Sequence, residues 1–540
     1  MKTRHTSNSI YDYVIVGAGS AGCVLANRLT EDSNTKVLLL EAGKPDDKQE
    51  IHIPAGFSTL FQSEYDWAYY TEKQPHLNNR NLYWPRGKVL GGCSSINAMI
   101  YIRGNYHDYD HWYNLGNEGW SAKEVLSYFK KAENQEHGAN EYHGIGGPLN
   151  VANQRCINPL SYAFREACLE AGFCENNDFN GEEQEGFGFY QVTQRNGKRH
   201  SAADAYLKPI LHRANLTVLT NTLGKRILFE GTRAVGLTYI QDGVTKDIKI
   251  KREVILSCGA INSPQLLMLS GIGPAEHLKS LGIPVIVDLP GVGQNLQDHL
   301  LVPVIYQCTK PITLLNAQKF LSFLKYLLFK KGSLTSNVAE AGGFVKTKPD
   351  LTVSDLQFHF TPFYFLNHGL IQSENHGFTF GSTLLRPQSR GSITLRSSAS
   401  FESPVIQPNY LDNQADLQVL VEGVHLSRKL VQMTAFDAFR GDELVPGYQV
   451  QTEEDICNFI RNTVETLYHP VGTCKMGNDS MSVVNSQLQV YKVERLRVID
   501  ASIMPDIIGG NTNAPVMMIA EKAAVLLTHN YSKMALLNTV

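Results

Sequence analysis

Between Tyr13 and Glu41 the chain carries a pattern that few folds can satisfy. Tyr13-Val14-Ile15-Val16 is a short apolar, β-branched run, long enough for one buried parallel strand. Gly17-Ala18-Gly19-Ser20-Ala21-Gly22 follows without a break, and Cys23 to Leu29 reads as a helix. A second strand, Lys36 to Leu40, ends in Glu41, nineteen residues after Gly22. A bound dinucleotide gives each position a task. Gly17 permits the tight turn, Gly19 lets the backbone approach a pyrophosphate, and Gly22 lets helix and strand pack closely. Ser20 and Ala21 complete the phosphate loop, and the helix N-terminus offers it N–H groups and a positive dipole end. Glu41 accepts hydrogen bonds from a ribose diol, with Ala42 beside it. A GxGxxG alone is an ordinary glycine-rich turn; here the strand, the helix and the acid accompany it. An acidic ribose ligand argues against a 2′-phosphate and so against NADP.

At 540 residues the chain makes two to four domain-sized units. A formal net charge of −3 predicts no general attraction to nucleic acid or anionic membranes. Residues 1–8 are polar, with no apolar signal core, and no run of eighteen apolar residues offers a spanning helix. Nine cysteines, without CxxC or CxxH spacing, read as free thiols in a reducing compartment, with no metal site. Cytoplasm is the expected location.

Further along, Trp67 is placed to lie against a cofactor ring, although burial in the core is the commoner fate of a tryptophan. Arg86-Gly87 and Gly91-Gly92 open a small-residue stretch that runs through Asn97-Ala98-Met99, suited to a backbone pressed against a flat polar ring. Residues 112–133 have helical spacing, with Val125, Leu126 and Phe129 on the core side. A β-rich stretch from Lys225 to Ile250 follows Gly224, and Val254 to Ala260 is another buried strand ending in small residues. The segment 318–331 is apolar with basic punctuation; it suits a helix packed on the rest of the protein or a weak peripheral membrane contact. From Gln357 apolar and polar residues alternate, giving a strand that turns His359 to one face. Pro470 biases His469 away from helical backbone. Leu496 to Asp500-Ala501 reads as one more parallel strand, and Pro515 marks the first turn of a helix running to Leu527.

Two of these stretches carry a family resemblance. Gly87–Asn97 resembles the first signature of the glucose-methanol-choline (GMC) oxidoreductases and Gly259–Gly273 the second, in that family's order and separation. Leu40-Glu41-Ala42-Gly43 resembles the second-strand end of FAD-dependent oxidoreductases, and Pro290–His299 and Gly510–Pro515 are also similar to the family. The resemblance implies an α/β fold: a Rossmann-like FAD domain assembled from residues 9–155, 195–300 and 465–540. An α+β cap on an antiparallel sheet, residues 156–194 and 301–464, would cover it. It implies non-covalent FAD, because Ile96 stands where covalent members carry a histidine. The implied cofactor contacts also include Ala260, Asp500, Ala501, Asn511 and Thr512.

The implied reaction is oxidation of an alcohol to an aldehyde or ketone, with hydride transfer to flavin N5 and a separate electron acceptor, oxygen, quinone or another carrier. The segment around His469 resembles the one that bears the family's catalytic histidine, and a histidine titrates near working pH. Asn513 is expected to hydrogen-bond the same oxygen. Glu340 and His359 are the expected substrate residues, Glu340 because choline-oxidising relatives carry an acid in a similar segment. Three alternatives share the fold: a hydroxynitrile lyase, a fatty-acid photodecarboxylase and a non-catalytic flavoprotein. Ala339 stands where the second would carry a cysteine, and the third would have lost His469 or Asn513.

Overall fold

The computed structural model describes residues 10–537 apart from 319 and 372. The polar residues 1–8, the ends of the expected FAD segments at 9 and 538–540, and position 319 within the 318–331 segment lie outside the described residues.

β1 (Tyr11–Val16) and β2 (Val37–Leu40) are buried at every position, as strands covered on both faces must be. They pair in parallel, with Leu216–Leu219 beside β2 and the C-terminal half of Val244–Leu256 beside β1. Leu496–Val498 adds to the far side of that long strand, also in parallel. The N-terminal half of the same strand leaves the parallel sheet and pairs antiparallel with Arg233–Gln241, which pairs in turn with Thr222–Glu230. α1 (Ser20–Leu29) joins β1 to β2 and packs against the long C-terminal helix Asn513–Leu537. It begins three residues before the expected Cys23, because the glycine loop itself turns into helix with Gly19 as its N-cap.

A second, antiparallel sheet runs Arg440–Val445, Leu300–Cys308, Gly377–Leu384, Leu356–Thr361, Ala341–Val345, Gly186–Phe189. On one face Phe360 stacks on Phe164 with ring centroids 4.6 Å apart, and Phe378 on Phe436 at 5.2 Å. The helix Gln414–Val431 packs against this sheet. Glu465–Thr466 also pairs with Leu300–Cys308, so the chain leaves this sheet two residues later than the expected boundary at 464. The single helix expected over 112–133 is two, Tyr106–Asn114 and Ala122–Ala132. Its core-side residues belong to the second, whose start at Ser121 is set by a capping box with Glu124. All nine cysteines are free. Among the described residues no helix is long and apolar enough to cross a membrane.

Candidate active site

A cavity follows the carboxyl edge of the parallel sheet and continues under the antiparallel one. Val16-Gly17, Leu40-Glu41, Ser257-Cys258 and Asp500-Ala501, each at or just beyond the end of a parallel strand, all line it. That edge is where open α/β sheets bind ligands.

The glycine loop forms one end. A Cβ on Gly22 would sit 1.9 Å from the Gly17 carbonyl oxygen, so helix and turn could not close with any other residue. The stretch 87–97 lies directly on this loop: a Cβ on Gly92 would come 2.7 Å from Gly19 Cα, and the Gly91 N–H donates to the Ala18 carbonyl at 2.8 Å. α1 has no side-chain N-cap bond and no acid in its first turn, leaving its N-terminus to an anion. The Glu41 carboxylate accepts from the Ala18 N–H at 2.9 Å and the Gly43 N–H at 2.8 Å. Burial nevertheless pushes it up to about 7. Trp67 stacks on Tyr69 with ring centroids 5.7 Å apart, and the Lys88 ammonium lies 4.6 Å from its centroid. An uncapped helix N-terminus, an inward carboxylate and a loop whose close main-chain approaches exclude a Cβ at Gly17, Gly22 and Gly92 fit the pyrophosphate and ribose of FAD. The cofactor would be held here by Gly17, Gly19, Ser20, Ala21, Glu41 and Ala42, with Gly87, Gly92, Asn97 and Ala98 across from them.

At the other end stands His469. Its N–H donates to Asp298 Oδ1 at 2.8 Å, and Asp298 Oδ2 also accepts from Thr466 at 2.6 Å and from the Tyr410 hydroxyl. Arg86 Nη2 donates to the Tyr468 carbonyl at 2.6 Å, holding a residue whose φ is +71. A tyrosine in that region is strained, and the bonds on either side of it keep it there. His469 Nδ1 lies 3.0 Å from His299 Nδ1, and His469 Nε2 lies 3.3 Å from Asn511 Nδ2. Burial pulls His469 well below its ordinary value, with His299, His359 and Arg86 adding to the effect, so the ring is neutral. His359 also lines the cavity; its Nδ1 lies 3.2 Å from Thr383 Oγ1, its Nε2 is buried without a partner, and burial pulls it to about 3.

Most of the expected residues meet in this one cavity, including Met99, Gly224, Ala260, Thr512 and Asn513. Four residues are placed differently. Asn513 is not beside His469: its Oδ1 accepts from Ser20 Oγ at 2.7 Å, tying the last helix to the glycine loop, and Asn511 takes the place beside the imidazole. Glu340 does not line the cavity. The residue is 1 % exposed, and its carboxylate accepts from Ser336 Oγ at 2.6 Å and from the Asn158 N–H and Ser161 Oγ at 2.7 Å, all groups of the scaffold outside the cavity. Gly22 and Gly91 lie behind the cavity wall and support it. The sequence assigns no role to Gln357 and offers His299 only as the end of the Pro290–His299 stretch. The alternation from Gln357 to His359 and the Pro290–His299 motif were the signals that pointed at them.

Family models described as GMC oxidoreductase match residues 11–301 and 387–520. Over 531 residues the chain is 49% identical to mitochondrial choline dehydrogenase of Mus musculus, covering 96% of this chain and 89% of that protein. It is 47% identical to an alcohol dehydrogenase [acceptor] of Pseudomonas putida over 527 residues, with 96% of each chain covered. A crystal structure of pyridoxine 4-oxidase from Mesorbium loti superposes with a TM-score of 0.89 at 31% identity, covering 96% of this chain and 99% of that one. For formate oxidase the TM-score is 0.92 at 27% identity, with 98% and 100% covered.

Proposed function

Because the chain belongs to the GMC oxidoreductase family, we propose that His469 and Asn511 act together on the oxygen of an alcohol. The protein is an FAD-dependent oxidoreductase of CH–OH donors. One observation carries the assignment of roles: a neutral imidazole lines the cavity with its Nε2 3.3 Å from an amide nitrogen. FAD, when bound, supplies the hydride acceptor, and the chain supplies position, proton acceptor and field. His469 takes the alcohol proton at Nε2. Asn511 donates from Nδ2 to the oxygen as negative charge develops there, with its own carbonyl held by Gln357 Nε2 at 3.2 Å. The helix starting at Asn513 has its N-terminus on the cavity and no acid in its first turn, so its dipole favours negative charge at that point.

The parallel sheet would carry the cofactor half and the antiparallel sheet the cap. Ile96, which lines the cavity, offers no nucleophilic atom, so acid precipitation should leave yellow FAD in the supernatant. Phe57, Phe61, Val338 and Phe365 line the cavity and belong to one apolar cluster, and Phe61 packs 5.9 Å from the ring of Tyr468. This lining suits an alcohol with an apolar chain. Anaerobic mixing with a panel of primary alcohols tests the reading: the yellow absorbance should bleach, fastest with apolar substrates. Turnover of hydroxynitriles without bleaching would replace the oxidoreductase with a lyase, a reading that the redox relatives do not favour.

A lipid contact is favoured by a separate observation. In the helix Phe320–Phe329, Phe320 and Leu321 are each 75 % exposed, Leu328 62 % and Phe329 65 %. Tyr326 alone is buried, its hydroxyl donating to the His52 carbonyl at 3.1 Å. An exposed apolar face with Lys325, Lys330 and Lys331 beside it fits an anionic bilayer interface. The protein should sediment with vesicles containing anionic lipid, and Leu321→Glu with Leu328→Glu should release it; no sedimentation of the wild type would remove the contact.

A further inference from the structure

We infer that His299 is a positioning residue that fixes which nitrogen of His469 carries the proton. A main-chain carbonyl only accepts, so His299 Nε2, 3.0 Å from the Leu385 carbonyl, carries a hydrogen. His299 is fully buried, and the structure gives it no carboxylate partner, so it has one ring proton only. Its Nδ1 is therefore a lone pair. The 3.0 Å approach of His299 Nδ1 to His469 Nδ1 needs one hydrogen between them, and that hydrogen belongs to His469. A neutral His469 protonated at Nδ1 has its lone pair at Nε2, toward the cavity.

The other end of the network gives the same answer independently. The Tyr190 hydroxyl donates to the Phe358 carbonyl and so accepts from Gln357 Nε2 at 3.1 Å. The second hydrogen of that amide goes to Asn511 Oδ1 at 3.2 Å, which turns Asn511 Nδ2 toward His469 Nε2. A donor at 3.3 Å requires an acceptor there. Gln357 Oε1, on the far side of the amide, has no partner among the described residues. A continuous chain of donors and acceptors thus runs between two main-chain carbonyls, Leu385 and Phe358, neither of which can reverse direction. His299 orients and does not relay. Its only other nitrogen is committed to Leu385, and accepting the His469 proton would create a buried imidazolium with no counter-ion.

This inference rests on His469 as the base, but its first test does not. Ring nitrogen-15 spectra of histidine-labelled holoenzyme at neutral pH, with His469 assigned by its loss in His469→Ala, report the tautomer directly. The expected pattern is a protonated Nδ1 and an unprotonated Nε2, and the reverse pattern would overturn the inference whatever the activity. In His299→Phe the acceptor is gone while the ring volume stays. Alcohol-driven flavin reduction should slow by roughly tenfold or more, within the 10²–10⁴ that general-base catalysis is worth in all. FAD content and alcohol affinity should be unchanged. In His299→Asn one amide can accept from His469 and donate to Leu385, so most of the rate should return; equal loss in both variants would reduce His299 to a packing residue and overturn its positioning role. A wild-type rate in His469→Ala would remove the base assignment and leave the tautomer standing.

Discussion

At the glycine-loop end of the cavity the contacts are mostly main chain, drawn from a few short stretches: residues 17–22, 41–43 and 87–98. At the histidine end they are side chains drawn from residues 298–299, 357–359, 469 and 511, each on a different part of the fold. The first end is set by where backbone can pass without a Cβ and tolerates little variation in shape. The second is set by which way each proton points, and its parts are useful only together. Losses at the first end should therefore show as cofactor affinity, and losses at the second as rate.

The largest expected effect is at the histidine end. His469→Ala should slow anaerobic flavin reduction by roughly 10²–10⁴, and Asn511→Ala by about 10²–10³, both with wild-type FAD content. Because the two act on one oxygen, the double variant should be little worse than His469→Ala alone. The sign of the pH effect follows from burial. The base is the neutral ring, and its pKa is held well below 6.5 by burial, helped by His299, His359 and Arg86. The reduction rate should stay level as pH falls from neutral to 6.5 and decline only below that, and His469→Ala should lose the decline. Stopped-flow bleaching across pH reads both; a midpoint at or above 6.5 would place the titrating base elsewhere.

The glycine-loop end should respond in affinity. Glu41→Ala removes a buried acceptor held by two N–H groups, and FAD should bind about 1–3 kcal/mol more weakly with the flavin that remains bound reduced at the wild-type rate. Asn513→Ala breaks the bond to Ser20, a neutral hydrogen bond worth about 0.5–1.5 kcal/mol, and should also act on FAD retention. This is the sharpest form of the comparison. Asn511 and Asn513 are two residues apart, yet one should lose rate and the other cofactor. Equilibrium dialysis of FAD alongside the rate measurement would separate them, and a rate loss in Asn513→Ala matching that of Asn511→Ala would collapse the distinction.

The same contrast explains what the sequence made legible. The strand, loop, helix and acid of residues 11–41 interact with near neighbours along the chain, so spacing alone describes their geometry. The motif singles out His469, the base proposed above, but not the side chain that faces it. Whether Asn511 or Asn513 faces the imidazole depends on where the last helix begins, and Asn513 is its first residue. The helix expected over 112–133 failed for a related reason: its apolar spacing does continue, but the capping box at Ser121 restarts the helix.

Glu340 is the smallest expected effect and the most direct check on the boundary between site and scaffold. Its neighbours in space, Asn158 and Ser161, are 182 and 179 residues away in sequence, so nothing local announces that its carboxylate is already taken. The acid joins the loop before the strand Ala341–Val345 to the N-terminus of the helix Pro159–Glu170, and burial raises its pKa above the ordinary glutamate value. Glu340→Gln keeps the shape and one acceptor oxygen, and the Ser336 hydroxyl can rotate to accept from the new amide. Stability should fall by about 0.5–1.5 kcal/mol, the net value of a buried hydrogen bond. The ratio of kcat/KM for a quaternary-ammonium alcohol to that for a neutral alcohol of similar size should change by no more than about twofold. Truncating one partner of a buried ion pair costs about 2–5 kcal/mol, so an acid that did pair the cation would move this ratio by well over tenfold. A selective loss of that size for the cationic alcohol alone, with the melting temperature unchanged, would return Glu340 to the substrate site.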